Sequence, residues 1–303
     1  MALRSIVSKV RHFATIDWAG LHSAQRSAKV DASKYRVDTS KHAMTSPSTD
    51  DLARAFRPRH LIAEMTSRCN LRCTYCQKSN DTWNSLPGRD EDMAPEVEER
   101  LFRSLDAMQF NTVQLSGIGE FTFRKDWQAT LRRFLERGLR VSLICNFAKP
   151  FKLDELALLL ELSHLMISID TVDAGLLKDV RKAVSLTIIA GNLSLLRTVA
   201  HQRGASLPYI KLNAVLYWDN LLGIEDMAHF AIEHRVHEMQ FERMFDMGVS
   251  MGGPKPIDVA DTDRATTALV QIARAASLLR EAGIVASFHG DLIQVLERVG
   301  RRP

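Results

Sequence analysis

From Arg59 onward, short apolar runs alternate with longer segments of helical period. Runs rich in β-favouring residues fall at 60–65, 112–115, 140–144, 165–170, 209–216 and 238–245, and each predicts a strand. A seventh run at 284–288 closes or caps the series. Between them, apolar side chains recur every three or four residues, as on a helix with one buried face. Val97, Leu101, Leu105 and Met108 follow Pro95; Trp127, Leu131, Phe134 and Leu135 precede Gly138. Ile189, Leu193, Leu196 and Val199 precede Gly204, and Leu269, Ile272, Ala276 and Leu279 precede Gly283. Proline opens a helix because its missing N–H is not needed in the first turn, and glycine ends one by accepting a left-handed backbone.

Strands that alternate with helices are joined by right-handed crossovers and lie parallel. The expected fold is α/β, a partial (β/α)6 TIM-like barrel of parallel strands with outer helices; an open doubly wound sheet is the other arrangement of the same parts. Both put chemistry in the loops after the carboxyl ends of the strands. This domain is expected to span 59–303, with a C-terminal helix and possible seventh strand. Residues 1–58 read as a basic N-terminal arm or extension.

At 46% hydrophobic and 25% charged residues the chain has an ordinary globular composition. No apolar run approaches the roughly 20 residues of a membrane helix, so no membrane is expected. Residues 1–43 hold eight basic and three acidic side chains, which leaves 32 against 33 in the rest. A body this neutral lacks the basic stripe through which counterion release drives nucleic-acid binding, and no nucleic acid is expected. The four cysteines, Cys69, Cys73, Cys76 and Cys145, are too few and too clustered for a disulfide framework, which points to a reducing, cytoplasmic setting.

Three of those cysteines follow the first strand, in Glu64-Met-Thr-Ser-Arg-Cys69-Asn-Leu-Arg-Cys73-Thr-Tyr-Cys76. Thiolates so close share a soft metal or act as reactive thiols, and no neighbouring residue supplies the fourth ligand of a closed zinc site. On a four-iron, four-sulfur cube, three thiolates leave one iron open to a small molecule. A zinc-stabilised binding module and an iron-sulfur electron-transfer or sensing protein stay open as alternatives.

The spacing Cys-x3-Cys-x2-Cys, with Tyr75 before the last cysteine, resembles the radical S-adenosylmethionine (radical SAM) superfamily. The likeness extends over about residues 59–246. Gly117-Ile118-Gly119-Glu120 stands after the second strand, Ile144-Cys145-Asn146-Phe147 ends the third, and Ile167-Ser168-Ile169-Asp170 ends the fourth. Arg181, Asn213 on the fifth strand and Phe241-Glu242 on the sixth complete the series. The chain is most similar to the branch of the molybdenum-cofactor cyclase and the peptide maturases, but lacks their C-terminal cysteines, so no auxiliary cluster is expected.

The resemblance implies one 4Fe-4S cluster on Cys69, Cys73 and Cys76, with S-adenosylmethionine chelated at the open iron. One-electron reduction would cleave S-adenosylmethionine to a 5′-deoxyadenosyl radical that removes a hydrogen atom from a peptide or small metabolite. Flavodoxin or ferredoxin would supply the electron. Cofactor contacts fall on Tyr75 (adenine), Gly117, Ile118, Gly119, Glu120 (the ammonium group), Asn146, Ser168, Arg181 (the carboxylate) and Asn213. For Arg181 a surface ion pair is the plain alternative, and for Glu242 a pairing with Arg243. Candidate catalytic residues are Cys145, Asp170 and Glu242. Cys145 could return a hydrogen atom if its thiol pointed into the barrel, or be a core cysteine; Asp170 could orient ribose or substrate, or cap the next helix. Cys145 and Phe147 stand where the family has threonine and glycine. Rearrangement, epimerisation and cyclisation all remain open as outcomes.

Overall fold

The computed structural model describes residues 60–79, 83, 89–108, 110–182, 184–244, 254–257, 262–289 and 291–300. The basic arm and Phe245, at the expected end of the sixth strand, lie outside these. The strands are β1 (His60–Ala63), β2 (Thr112–Leu115), β3 (Arg140–Cys145), β4 (His164–Ser168), β5 (Tyr209–Leu216), β6 (Glu238–Arg243) and β7 (Val285–Phe288). The helices are α1 (Pro95–Met108), α2 (Trp127–Leu135), α3 (Leu153–Leu159), α4 (Ala174–Arg181), α5 (Leu186–Arg203), α6 (Ile224–Glu233), α7 (Thr262–Glu281) and α8 (Leu292–Val299).

All seven strands form one parallel sheet in the order of the chain, β1 to β7. A doubly wound sheet reverses direction at a switch point, whereas this order never does, so the sheet curls one way as a partial barrel. The seventh strand is real: Glu238 to Phe241 of β6 pair with Val285 to Phe288. The first strand is shorter than its apolar run. Glu64 and Met65 leave the ladder, and Thr66 turns to bridge Asp92 in the antiparallel sense.

Side chains alternate across the curled sheet, and burial separates the two faces. Val113, Leu115, Leu143, Leu165, Ile167, Ile210, Leu212 and Phe241 are fully buried beneath the helices. The concave face carries Gln114, Ser142, Met166, Ser168, Lys211 and Asn213, each only half-buried. Helix ends follow local chemistry: Asp173 caps α4 by accepting from Leu176 N at 2.8 Å, and Glu96 and Glu98 favour the positive end of α1. Glu98 is buried and neutralised by Arg124 at 2.6 Å and Arg133 at 3.2 Å, which ties α1 to α2.

Candidate cofactor site at the carboxyl ends of the strands

Cys69, Cys73 and Cys76 line one cavity of about 250 Å³ at the carboxyl ends of the strands. Its other walls include Tyr75, the 117–120 turn, Asn146, Ser168, Arg181 and Val215. The loop after β1 thus meets the loops after β2 and β3, the end of β4, the end of α4 and the end of β5.

The thiol loop is fixed by its neighbours. Thr74 N donates to Val180 O at 2.8 Å, and the Cys73 thiol faces the Arg181 carbonyl oxygen at 3.8 Å, so the last turn of α4 braces the loop. Cys69 Sγ accepts from Leu71 N at 3.4 Å and lies 3.9 Å from Asn146 Nδ2. Buried Lys78 holds the loop from behind through Ser67 O and Asp90. Burial pushes the Cys69 thiol up and the Cys73 thiol up to about 12. Thiols so placed ionise readily only with a cationic metal centre beside them.

The glycines act on the chain itself. A Cβ at Gly119 would lie on the Thr66 carbonyl oxygen, and one at Gly117 would come within 2.5 Å of the Glu64 carboxylate. Their bare backbone lets the 117–120 turn press against the segment from Glu64 to Arg68, where Glu120 N donates to Arg68 O at 2.7 Å.

Glu120 borders the cavity, but its carboxylate is spent inside the protein. It is buried, and accepts from Thr122 N at 3.1 Å, Thr122 Oγ1 at 2.8 Å and Asn146 N at 2.6 Å. It joins the turn after β2 to the end of β3, with three internal donors on a group that has about four acceptor sites. Glu64, which heads the cysteine segment but is not among the expected cofactor contacts, is exposed at the same turn, with one oxygen accepting from Ile118 N at 2.6 Å. Its only signal in the sequence is an acid directly after an apolar strand.

Asp170 neither caps α4 nor faces open space. It is buried and bound by Arg181 Nε and Nη2, both at 2.8 Å, by Tyr75 Oη at 2.7 Å and by Val215 N at 3.2 Å. Arg181 is therefore in a buried ion pair, not a surface one. Burial opposes its charge, but Asp170 more than offsets this and holds the guanidinium ionised. The network also fixes Tyr75, whose ring lies 5.9 Å from that guanidinium and 6.4 Å from the Tyr217 ring.

Cys145, at the end of β3, follows the buried positions Val141 and Leu143 in the strand alternation, and it also contributes to the wall of the cysteine cavity. Its sulfur lies 3.7 Å from Thr122 Oγ1 and accepts from Phe147 N at 3.2 Å. Burial and the Glu120 charge push its pKa far up, so it stays a thiol. Phe147 takes the backbone that glycine would take, with φ of 52°, and its buried ring packs 4.9 Å from Phe151.

Ser168 pairs in register with Asn213, and Asn213 with Gln240, in one row on the concave face. Asn213 Oδ1 is buried with no hydrogen-bond partner, as is Tyr217 Oη. Buried acceptors are seldom left unmet, so the row fits a ligand that brings donors. Glu242 lies opposite Val215, which lines the cavity, and accepts from Gln240; Arg243 turns instead to Asp291 at 2.8 Å. Glu242 is thus one strand removed from the cysteine cavity.

The donor set suits a cluster better than a single ion. One zinc ion holds all its thiolates at about 2.3 Å and so draws them together. Among the described residues no three His, Cys, Asp or Glu side chains are placed to hold one metal ion. A cube takes each thiolate on a different iron and needs no such convergence.

Residues 63–199 match the model of the Radical SAM superfamily, whose members use a four-iron, four-sulfur cluster and S-adenosylmethionine. A probable GTP 3′,8-cyclase of Pyrococcus abyssi is 33% identical over 114 residues, 38% of this chain and 35% of that protein. The PqqA peptide cyclase of Ruegeria pomeroyi is 29% identical over 178 residues, 58% of this chain and 44% of that protein. The chain therefore spans less than half the length of either relative. The crystal structure of Streptococcus suis SuiB bound to precursor peptide SuiA superposes with a TM-score of 0.59 at 19% identity, covering 80% of this chain and 51% of SuiB. With its three-cysteine loop set at the mouth of a singly wound parallel sheet, this chain is similar to the Radical SAM superfamily over residues 63–199.

Proposed function

We propose that this protein is a radical SAM enzyme that reductively cleaves S-adenosylmethionine and abstracts a hydrogen atom from a peptide or small metabolite in a biosynthetic pathway. One observation carries the reading: three thiols, a glycine turn packed against their loop, and the end of β4 converge on one cavity. When bound, the cluster and S-adenosylmethionine supply a carbon radical, chemistry that side chains lack.

Cys69, Cys73 and Cys76 hold the cluster. Asp170, Arg181 and Tyr75 are positioning residues: the buried ion pair fixes the end of α4, whose carbonyls brace Thr74 and Cys73, and the Tyr75 hydroxyl is held for its ring to lie along an adenine. Glu64 takes over the ammonium contact, since it is exposed with a single internal hydrogen bond, while Glu120 holds Asn146 in place. Ser168 and Asn213 offer polar contacts on the concave face to ribose or substrate. Glu242, farther along that face, is a substrate contact.

The family requires an external reductant, and a flavodoxin or ferredoxin fits that need. No single helix among the described residues is long and apolar enough to cross a membrane; the free thiols suit a reducing cytoplasm. The relatives include cyclases of a nucleotide and of a peptide, so both substrate classes fit this chain. The test is anaerobic incubation of reduced, cluster-loaded protein with S-adenosylmethionine. Formation of 5′-deoxyadenosine and methionine supports the reading, and intact S-adenosylmethionine after many hours rejects it.

A further inference from the structure

A second and larger cavity, of about 630 Å³, opens at the amino ends of β5 to β7, the end of the barrel opposite the thiols. Tyr209, His237 and Arg235 supply its polar lining, and Ile232, Ile284 and Val285 much of its apolar lining. Its volume lies within the roughly 300–1,000 Å³ of small-molecule sites.

Three observations give it a chemical preference. The first is a stack of rings. Tyr209 and His237 stack at 5.0 Å with planes 26° apart, and His164 continues the row at 5.3 Å from Tyr209. His237 Nδ1 accepts from Ile210 N at 2.9 Å, so in the neutral ring Nε2 carries the proton and donates.

The second is a backbone anomaly. The turns into β3, β5 and β7 place glycine in the left-handed region, at Gly138, Gly204 and Gly283, but the turn into β6 places Arg235 there with φ of 44°. A side chain at such a turn costs free energy that glycine avoids, and strained positions cluster where a side chain has a task. This one is at the rim of the cavity.

The third is charge. Arg197 Nη2 donates to the carbonyls of His234 and Arg235, and among the described residues neither Arg197 nor Arg235 is ion-paired. Burial and the Arg235 charge pull the Arg197 pKa down, and burial and Arg197 pull His237 down. Glu233 acts on His234. Glu238, which accepts from the Tyr209 hydroxyl of that stack at 3.2 Å, is also taken by Lys211 at 3.0 Å and Ser287 Oγ at 2.6 Å. Among the described residues, Arg197 and Arg235 thus have no counter-ion of their own at this end.

We propose that this cavity binds a small flat-ringed anion, its ring against the Tyr209–His237 stack and its carboxylate or phosphate against Arg235. The site is independent of the radical chemistry at the other end of the barrel.

The test is calorimetric titration of the full, cluster-loaded chain with phenyl phosphate, inorganic phosphate and phenol, with S-adenosylmethionine saturating so that the cysteine cavity does not contribute. Phenyl phosphate is expected to bind at least tenfold more tightly than either half alone. Arg235→Gly is expected to weaken phenyl phosphate at least tenfold while its Tm stays at or above that of the parent, since glycine relieves the turn. Tyr209→Leu is expected to weaken phenyl phosphate but not inorganic phosphate. Equal binding of phenyl phosphate by the parent and Arg235→Gly, or no binding of it by the parent, overturns the proposal.

Discussion

At the scale of single residues, what decides a carboxylate's duty is who already holds it. Glu120 has three internal donors and is buried, so Glu120→Gln should cost stability, about 1–3 kcal/mol, visible in a denaturant midpoint. Glu64 is exposed with one, and Glu64→Gln should change stability by less than about 0.5 kcal/mol. The same variant should weaken S-adenosylmethionine by roughly tenfold through a lost charge-assisted bond, while an analogue without the amino group binds as before. Equal loss for both ligands would return the ammonium to another group. The sequence marks Glu120 because it ends a glycine turn, but that the Asn146 N–H reaches its carboxylate is a contact between two loops, which no local pattern reveals.

Cys73 offers a test of burial. With its thiol pushed up to about 12 by burial, Cys73 of the metal-free fold carries far less thiolate at about pH 9 than an ordinary thiol, which is mostly ionised there. Alkylation of cluster-free protein should therefore modify Cys73 far more slowly than a denatured control. Equal rates would mean that the thiol loop is open in the metal-free state.

At the scale of elements, the loop after β3 shows how a distant helix sets the site. Buried Asn192 on α5 donates to Phe147 O at 3.0 Å and Lys149 O at 2.8 Å and accepts from Phe151 N at 3.3 Å. Those bonds and the Phe147–Phe151 contact hold the segment that brings Asn146 to Asn70 Oδ1 at 2.7 Å and to the Cys69 sulfur. Asn192→Ala should cost about 1–3 kcal/mol and speed amide exchange across 146–151, with α5 itself protected. Phe147→Gly should relieve the backbone yet lose a buried ring, a net loss of about 2–4 kcal/mol.

Strand and helix periods were enough to place all seven strands to within a few residues, because each strand is a short apolar run bounded by helices of clear period. Strand ends were harder. Glu64 and Met65 read as strand because they continue an apolar run, yet Thr66 turns to Asp92, 26 positions along, and the ladder stops. Cys145 was legible as a departure from the family, but its burial against Thr122 and Phe147 at the edge of the cavity depends on contacts between two loops. Asp170 was legible as a polar residue at a strand end, whereas its capture by Arg181 and Tyr75 depends on how α4 and the thiol loop fold back.

At the scale of the whole molecule, a sheet wound in one direction brings the ends of β1 to β5 around one cavity, so residues from three loops, two strand ends and a helix end act together without being neighbours in sequence. The buried Asp170–Arg181 pair holds two of those elements. Asp170→Asn would leave a buried guanidinium uncompensated, a loss of about 3–5 kcal/mol, and should lower the Tm and the cluster content of the purified protein together.

The most direct measurement is electron paramagnetic resonance of anaerobically reconstituted, reduced protein, with iron and sulfide counted in the same sample. The account predicts about four irons and four sulfides per chain, a signal that changes shape when S-adenosylmethionine is added, and loss of both in Cys73→Ala. Zinc without acid-labile sulfide, or a cluster signal indifferent to S-adenosylmethionine, would contradict it.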